Sequence, residues 1–199
     1  MKIIQNFVFL LNTFLLISGN LQDSYSKLRF GYRLDRKMID SYTEYSILDC
    51  VEECLRTTRC KSVSYYKGAN YCEISYENET TAHDKYKEDK GWTYSEREDW
   101  DPKITGSCSE ATCKIYQKCI PKSLGSYECV LSDCEIPPDV DGADMNSVER
   151  WDAIGIYRQL NIKCRDKYNL KGPGLLNCLS NGQWEIHLIC GMKRRITSN

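Results

Sequence analysis

The chain has 199 residues, of which 12 are cysteine, and a formal net charge of −1 at pH 7. A charge this close to zero provides no sequence-wide positive field, so we do not expect nucleic acid as a partner. The cysteines are even in number and lie between Cys50 and Cys190. This usage is typical of proteins that fold in an oxidising compartment, and it predicts a disulfide-rich fold.

Residues 1–19 have the layout of a secretory signal peptide. One lysine, Lys2, precedes an apolar run that ends in the small residues Ser18 and Gly19. The run is short and close to the N terminus, which does not favour a membrane anchor, and no second apolar run follows. We therefore expect a secreted, extracellular protein without a membrane span.

The cysteines fall into three groups of four, which predicts three small modules. Chains of about 40 to 75 residues bury too little apolar surface to be stable without cross-links. No C-x-x-C pair occurs, so we do not expect zinc bound by cysteine. The groups are Cys50, Cys54, Cys60 and Cys72; Cys108, Cys113, Cys119 and Cys129; and Cys134, Cys164, Cys178 and Cys190.

The first module spans residues 28–96 and begins with a strand and a helix. Phe30, Tyr32 and Leu34 alternate with polar neighbours, which predicts a half-buried strand. Ser46 is placed to cap a helix whose apolar face carries the first two cysteines.

A hairpin and a closing strand complete this module. CKSVSYY (60–66) and YCEISY (71–76), joined by KGAN, predict the hairpin, and GWTYSE (91–96) predicts the closing strand. The polar stretch between them (77–90) is predicted to be a solvated loop. It contains an N-x-T sequon, which predicts N-glycosylation of Asn78.

These features together resemble the PAN/apple domain. They are a helix with C-x3-C, a third cysteine six residues on, a fourth in a following strand and a terminal GW-x-Y. The resemblance implies an α+β fold of one antiparallel sheet and one helix. It also implies the disulfides Cys50–Cys72 and Cys54–Cys60. The third disulfide of full apple domains has no counterpart here, so the shorter PAN form is the better match.

The second module, residues 108–133, follows a predicted linker at residues 97–107. The order of its four cysteines and the GSYEC motif resemble the EGF-like domain. The resemblance implies the disulfides Cys108–Cys119 and Cys113–Cys129. Because the fifth and sixth EGF cysteines are missing, we expect a short, truncated EGF-like unit that acts as a stiff spacer. The acidic residues of calcium-binding EGF domains are also missing, so calcium is not expected.

The third module, residues 134–190, precedes a basic tail at residues 191–199. Its C-x-I-P opening, a glycine-led strand into the second cysteine, and C-x-x-N-G-x-W closely resemble a sushi (complement control protein) domain. The resemblance implies an all-β fold with the disulfides Cys134–Cys178 and Cys164–Cys190. Trp184 is expected to pack over the second of these disulfides.

No pattern in the chain predicts catalysis. The two histidines, His83 and His187, lie in different modules, and the cysteines are expected to be oxidised. No nucleophile motif, metalloprotease motif or phosphate-binding loop occurs. We therefore expect a protein that is not an enzyme, with no catalytic residues, no metal site and no cofactor.

Binding is the function class that remains. We expect an adhesion or recognition protein that binds an extracellular glycan or protein through its PAN and sushi modules. The alternatives are a structural component of an extracellular matrix or secretion, and a regulator of a protease cascade. The candidate contacts are basic and aromatic residues after the PAN helix, for which core tyrosines and solvated cations are the simpler interpretation. They are Arg56, Arg59, Lys61, Tyr65 and Tyr66.

Overall fold

A computed structural model of the protein describes residues 27–193, so the predicted signal peptide and most of the basic tail lie outside the described residues. Within this range there is one α-helix, α1 (Ile47–Arg56). The strands of the first module are β1 (Arg29–Leu34), β2 (Met38–Tyr42), β3 (Ser62–Tyr66), β4 (Tyr71–Ser75) and β5 (Tyr86–Glu96). The later strands are β6 (Gln117–Pro121), β7 (Tyr127–Leu131), β8 (Ala143–Asp144), β9 (Gln159–Asn161), β10 (Lys163–Cys164), β11 (Tyr168–Cys178) and β12 (Trp184–Met192).

The first module is an antiparallel sheet in the order β1-β5-β3-β4-β2, with α1 packed against β3 and β4. This confirms the predicted α+β fold. The helix begins at Ser46, whose side chain accepts a hydrogen bond from the backbone N–H of Asp49, while the Asp49 carboxylate accepts one from the Ser46 N–H. This reciprocal pair satisfies two backbone donors that the first turn leaves free. No helix in the range 27–193 is long and apolar enough to cross a membrane.

Strand β1 is buried in a different pattern from the one predicted. Phe30 is 55% exposed, whereas Arg33 is fully buried. The register between β1 and β5 breaks after Phe30, because β5 carries extra residues there. This irregular part of β5 covers Arg33, whose Nε lies 2.8 Å from an Asp89 carboxylate oxygen. The prediction failed because alternation along one strand does not show what lies on its outer face.

The polar stretch between the hairpin and the closing strand is also more ordered than predicted. Residues 86–90 belong to β5, and residues 86–88 pair with β1, so that Leu34 lies opposite Tyr86 and Tyr32 opposite Glu88. Lys87 and Glu88 are both exposed, and polar residues at exposed positions are compatible with strand pairing. The prediction of a solvated loop is therefore wrong for residues 86–90, which belong to a strand.

All twelve cysteines are bonded in the six pairs that the three resemblances imply, and none is free in the described range. In the first module, Cys50–Cys72 ties α1 to β4 and Cys54–Cys60 closes the exit of the helix. Short loops closed in this way restrict the unfolded chain and so stabilise small modules.

The second module is a hairpin of β6 and β7 that packs against the C-terminal end of α1. Lys118 Nζ lies 2.7 Å from Glu53 Oε1, and the Thr58 hydroxyl donates to the Gln117 carbonyl at 2.8 Å. The hairpin is therefore packed against the first module. It does not act as a spacer, because the first and third modules are also in contact.

The predicted linker, residues 97–107, is likewise packed. It forms short 3-10 segments, Arg97–Asp99 and Pro102–Cys108, the second of which is interrupted by a kink at Gly106. The Arg97 guanidinium donates to the carbonyls of Cys54 and Leu55 at 2.5 and 2.6 Å. These carbonyls belong to the last turn of α1, where no following turn supplies N–H donors. Arg97 therefore caps the C-terminal end of α1.

The third module contains a sheet in the order β12-β11-β9 and a second pair, β8 and β10. Trp184 lies opposite Cys178 on the neighbouring strand, and its indole N–H donates to the Glu135 carbonyl at 2.9 Å. Cys190 is six residues further along β12, about 20 Å in an extended strand. Trp184 therefore lies beside Cys134–Cys178, not over Cys164–Cys190 as predicted, because the strand register decides its neighbours.

The first and third modules share one hydrophobic core. A single cluster of buried residues includes Ile39 and Ile74 of the first module and Ile154 and Leu176 of the third. Backbone bonds join them directly, since the N–H of Ile154 donates to Met38 O at 3.1 Å and that of Gly155 to Ile39 O at 2.7 Å. We call this contact the junction.

Gly155 is required for this approach. A Cβ at this position would lie 2.7 Å from the Ile39 carbonyl oxygen, closer than side-chain and backbone atoms pack. The approach also brings Arg158 within 2.9 Å of the Asp40 carboxylate. Any larger residue at 155 must push the two modules apart.

Arg59 connects all three modules. Its guanidinium lies 2.7 Å from the fully buried carboxylate of Asp133 and donates to Cys134 O at 2.8 Å. It also lies 5.2 Å from the Tyr76 ring and 4.9 Å from the Tyr116 ring. A buried charge needs this kind of compensation, so Asp133 depends on Arg59.

We expect Arg59→Met to lower the free energy of unfolding by about 3 kcal/mol, because it leaves Asp133 buried without its cation. The matched control is Arg56→Met at the end of α1, three residues earlier, which removes a partly exposed pair with Glu52 and is expected to cost less than about 0.5 kcal/mol. Urea denaturation of the disulfide-bonded protein measures both. Equal losses in the two variants would contradict the role assigned to Arg59.

Candidate functional site: an aromatic cleft at the junction

A cleft of about 410 Å³ lies where the sheet of the first module meets the third module. We call it the aromatic cleft, because four aromatic rings dominate its lining. The lining residues are Tyr66, Ala69, Tyr71, Asp89, Lys90, Trp92, Arg150 and Trp151.

Three of the rings come from neighbouring strands. Tyr66 ends β3 and is the cross-strand neighbour of both Tyr71 on β4 and Trp92 on β5. The Trp92 ring centre lies 5.4 Å from that of Tyr66 and 6.1 Å from that of Tyr71. Gly91 has φ 92°, and a Cβ there would lie 2.7 Å from the Tyr66 ring, so glycine lets this ring lie against the strand.

Trp151 brings the fourth ring from the third module. Its centre lies 6.3 Å from that of Tyr71, in an edge-to-face arrangement. Trp151 is 60% exposed, whereas Trp92 is 7% exposed. The aromatic surface therefore runs from the interior of the protein out to solvent.

Two guanidinium groups alternate with the two tryptophans. Arg33 lies 4.9 Å from the Trp92 ring centre, and Arg150 lies 5.3 Å from it. Arg150 also lies 4.7 Å from the Trp151 ring centre. Each such cation–π contact contributes about 0.5–2 kcal/mol, depending on burial. The contact with Arg150 restricts the position of the Trp151 ring, although most of its surface is exposed to water.

Carboxylates in and beneath the cleft balance these cations. Arg33 pairs with Asp35, Asp89 and Glu73, whose closest oxygen is 3.4 Å from Arg33. The second Glu73 oxygen has no hydrogen bond and lies 3.9 Å from Arg150. Burial raises the pKa of Glu73 to about 7, and the attraction of Arg33 and Arg150 only partly offsets it.

The lining of the cleft offers groups that are suited to binding a ligand. Its aromatic rings offer flat apolar faces, and the Asp89, Lys90 and Arg150 side chains at its border offer charged donors and acceptors. A pocket of several hundred cubic ångströms with few polar groups is typical of sites for small molecules or single residues of a polymer.

The five predicted contact residues do not form one surface. Of the two tyrosines, Tyr66 lines the cleft, but Tyr65 is 6% exposed and its hydroxyl donates to Asn70 Oδ1. Adjacent residues of a strand face opposite sides, which separates these two rings. Of the three cations, Arg59 is engaged at Asp133, Arg56 pairs with Glu52, and Lys61 lies 2.8 Å from Glu77.

Sequence reasoning missed the remaining rings and Arg150. Tyr71 and Trp92 were recognised only as strand residues, and Trp151 was not singled out. The sequence contained one signal for a binding residue. Arg150 and Trp151, a cation next to a tryptophan, are not part of the motifs that resemble the sushi domain. The closeness of Arg150 to Trp92 depends on the junction and is not visible in the sequence.

The other predicted features lie apart from the cleft. Asn78 is half-buried; its side-chain oxygen accepts from the Thr81 N–H at 3.0 Å, and its amide nitrogen has one long contact, 3.5 Å, to Glu96. His83 is exposed, and His187 lies 2.8 Å from Glu185. In the described part of the chain, no group of three or more His, Cys, Asp or Glu residues is placed to hold a metal ion.

Comparison with known families agrees with this architecture. Residues 26–99 match the family model of the PAN domain, and residues 134–187 match that of the Sushi repeat (SCR repeat). The predicted identities of the first and third modules are confirmed. The protein is thus modular and disulfide-rich, and PAN and Sushi modules are typical of adhesion and recognition proteins.

A more distant similarity is to P-selectin from Mus musculus. The two are 28% identical over 92 residues, which is 40% of this chain and 12% of P-selectin. The chain thus spans only a small part of the length of that relative. The aromatic cleft itself combines residues of both matched regions, with Tyr66, Tyr71 and Trp92 in the PAN region and Arg150 and Trp151 in the Sushi region.

We expect the stability of the protein to fall between pH 4.5 and pH 7. The pKa of Glu73 is raised from its ordinary value of 4.5 to about 7, so the folded protein keeps a proton that the unfolded chain loses in this window. The resulting loss is up to about 3 kcal/mol at pH 8. Glu73→Gln keeps the shape without the charge and is expected to remove this part of the pH dependence.

Urea denaturation at pH 4.5, 6 and 8 measures the effect. Glu73→Gln should be more stable than the parent protein at pH 8 and similar to it at pH 4.5. The control, Glu88→Gln, changes an exposed carboxylate on the same sheet and should follow the parent. Parallel curves for the parent and Glu73→Gln would show that Glu73 is already ionised in the folded protein at low pH.

Proposed function

We propose that this is a secreted, non-enzymatic recognition protein that binds an extracellular glycan in the aromatic cleft. The observation that carries the proposal is the position of Trp151, which is 60% exposed yet held against Arg150 beside three further rings. A large apolar ring fixed in water loses little conformational entropy when a ligand covers it. This favours Trp151 as the main contact.

A glycan fits this lining better than an extended peptide does. A sugar ring has one or two flat faces of C–H groups, which pack on aromatic rings, and hydroxyls around its edge. The charged groups of Asp89, Lys90 and Arg150 border the rings and are able to bond such hydroxyls. The volume of about 410 Å³ suits one or two sugar residues.

Secretion is supported by the cysteine chemistry. Six disulfides bond all twelve cysteines, and such a set persists only in oxidising compartments. The predicted signal peptide at residues 1–19 supports the same assignment.

We further propose that residues 108–133 are a truncated EGF-like unit. Its order of disulfides and its single hairpin support this assignment. Its role here is to brace the end of α1 through Lys118 and Glu53, because it does not separate the modules that form the cleft.

We expect Trp151→Ala to weaken glycan binding roughly thirtyfold, as for a hot-spot residue worth about 2 kcal/mol. A glycan array probed with the secreted, disulfide-bonded protein identifies the ligand, and calorimetry with the best hit measures the affinity. The matched control is Tyr157→Ala, an aromatic residue of the same module that is 80% exposed and lies outside the cleft.

Two outcomes would overturn the glycan assignment. One is an array without any hit for the parent protein. The other is a glycan whose binding Tyr157→Ala weakens as much as Trp151→Ala does. Capture of an extracellular protein that depends on Trp151, in the absence of glycan hits, would assign the cleft to a protein ligand instead.

We expect N-glycosylation of Asn78 in the secreted protein. The nitrogen that would carry the glycan has only one long hydrogen bond, so its loss costs little. Thr80→Ala removes the sequon without touching the bonds between Asn78 and Thr81. Mass spectrometry should detect one glycan in the parent and none in Thr80→Ala. The thermal stability of Thr80→Ala should equal that of the parent after its glycan is removed enzymatically. An unmodified parent peptide would contradict the prediction.

A further inference from the structure

A second cleft lies at the junction, and it shares no residue with the aromatic cleft. Its volume is about 490 Å³. Its floor is apolar and is supplied by both modules, with Met38 and Ala82 from the first and Ile154 and Leu160 from the third. All four are buried, between 1% and 6% exposed. Half-buried Val148 extends this floor toward solvent.

One wall of this cleft carries two cations. Arg36 and Lys37 line it, and within residues 27–193 neither has an acidic group in ion-pair contact. The Nε of Arg36 is buried without a hydrogen-bond partner. A buried donor without a partner costs free energy, so the protein itself does not satisfy all the donors of this arginine. We call this site the basic cleft.

Three carboxylates also line the basic cleft, but each is already engaged. Glu77 lies 2.8 Å from Lys61, and Asp84 lies 2.8 Å from Lys85. Asp152 accepts hydrogen bonds from the backbone N–H groups of Glu149 and Asn161 at 2.7 and 2.8 Å. Outside ion pairs, the lining therefore has two cations, Arg36 and Lys37, and one carboxylate, Asp152, whose oxygens are already hydrogen-bonded.

The backbone holds the two cations in place. Arg36 and Lys37 have φ values of 69° and 60°, in the left-handed region that side-chain-bearing residues avoid. The neighbouring bonds fix this turn, because the Asp35 N–H donates to Lys85 O at 2.8 Å and the Tyr76 N–H donates to Lys37 O at 3.0 Å. Such conformations cost about 1–3 kcal/mol each and occur preferentially at functional sites.

We propose that the basic cleft binds a small anionic amphiphile, that is, a molecule with an apolar chain and one carboxylate or sulfate head. The chain lies on the floor of Met38, Ile154 and Leu160. The head pairs with Arg36 and Lys37 at the wall. The apolar floor alone would accept any hydrophobic molecule, whereas the unpaired cations select an anion.

The test uses sodium decanoate as the probe and the full secreted, disulfide-bonded protein. Isothermal titration calorimetry below the micelle concentration should detect one saturable site. The double variant Arg36→Gln/Lys37→Gln should weaken decanoate binding at least about tenfold, as the loss of charge-assisted hydrogen bonds predicts. Decanol, which has the same chain without the charge, should bind more weakly than decanoate and be unaffected by the double variant.

Matched variants separate this site from general charge effects and from the aromatic cleft. Lys167→Gln/Lys171→Gln removes two exposed lysines of the third module and should leave decanoate binding unchanged. Val148→Phe, which fills the mouth of the cleft, should weaken binding of both decanoate and decanol. Trp151→Ala should bind decanoate like the parent, so failure of the glycan assignment does not affect this result.

Absence of saturable decanoate binding up to millimolar concentrations would overturn the proposal. So would binding that the two double variants reduce equally, because the cations of the basic cleft would then have no special role. Inorganic sulfate that binds as tightly as decanoate would show that the apolar floor takes no part.

Discussion

The direct contact between the first and third modules is the constraint on which the rest of the structure depends. Two backbone hydrogen bonds, from Ile154 to Met38 and from Gly155 to Ile39, join the modules. Side chains of both modules then close into one buried cluster around this contact. Both clefts lie along it, and each takes part of its lining from either module. A chain of separate modules would have neither cleft.

Disulfides and the junction stabilise the protein in different ways. Each of the six disulfides closes a loop within one module, with sequence separations from 6 to 44 residues. They limit the unfolded chain locally but do not fix one module against another. Packing of apolar side chains and the buried Arg59–Asp133 pair do that. Small modules that bury little surface alone thereby gain a larger common core.

Charge is distributed unevenly along the junction. On the side of the aromatic cleft, Arg33 and Arg150 are held by carboxylates and by the faces of Trp92 and Trp151. On the side of the basic cleft, Arg36 and Lys37 make no ion-pair contact in the described part of the chain. Arg33 and Arg36 are three residues apart, yet one is part of a satisfied interior and the other faces an open site. The difference in ligand chemistry proposed for the two clefts follows from this contrast.

Local patterns determined those features of the protein that depend on residues close in the sequence. Ser46 and Asp49 lie one helical turn apart and predicted the start of α1, and the KGAN turn predicted the hairpin of β3 and β4. Cysteine spacing, together with the motifs around it, predicted the PAN and Sushi modules. Of the candidate site, only Tyr66 was named from the sequence.

Only the tertiary structure decided where the modules meet and which side chains the meeting brings together. Trp92 and Arg150, or Met38 and Ile154, are separated by scores of residues, and no periodicity links them. The burial of Arg33 likewise depends on a break in register that extra residues of β5 introduce. Contacts of this kind arise from the packing of whole surfaces, which depends on shape and volume and is not encoded in any short stretch of the chain.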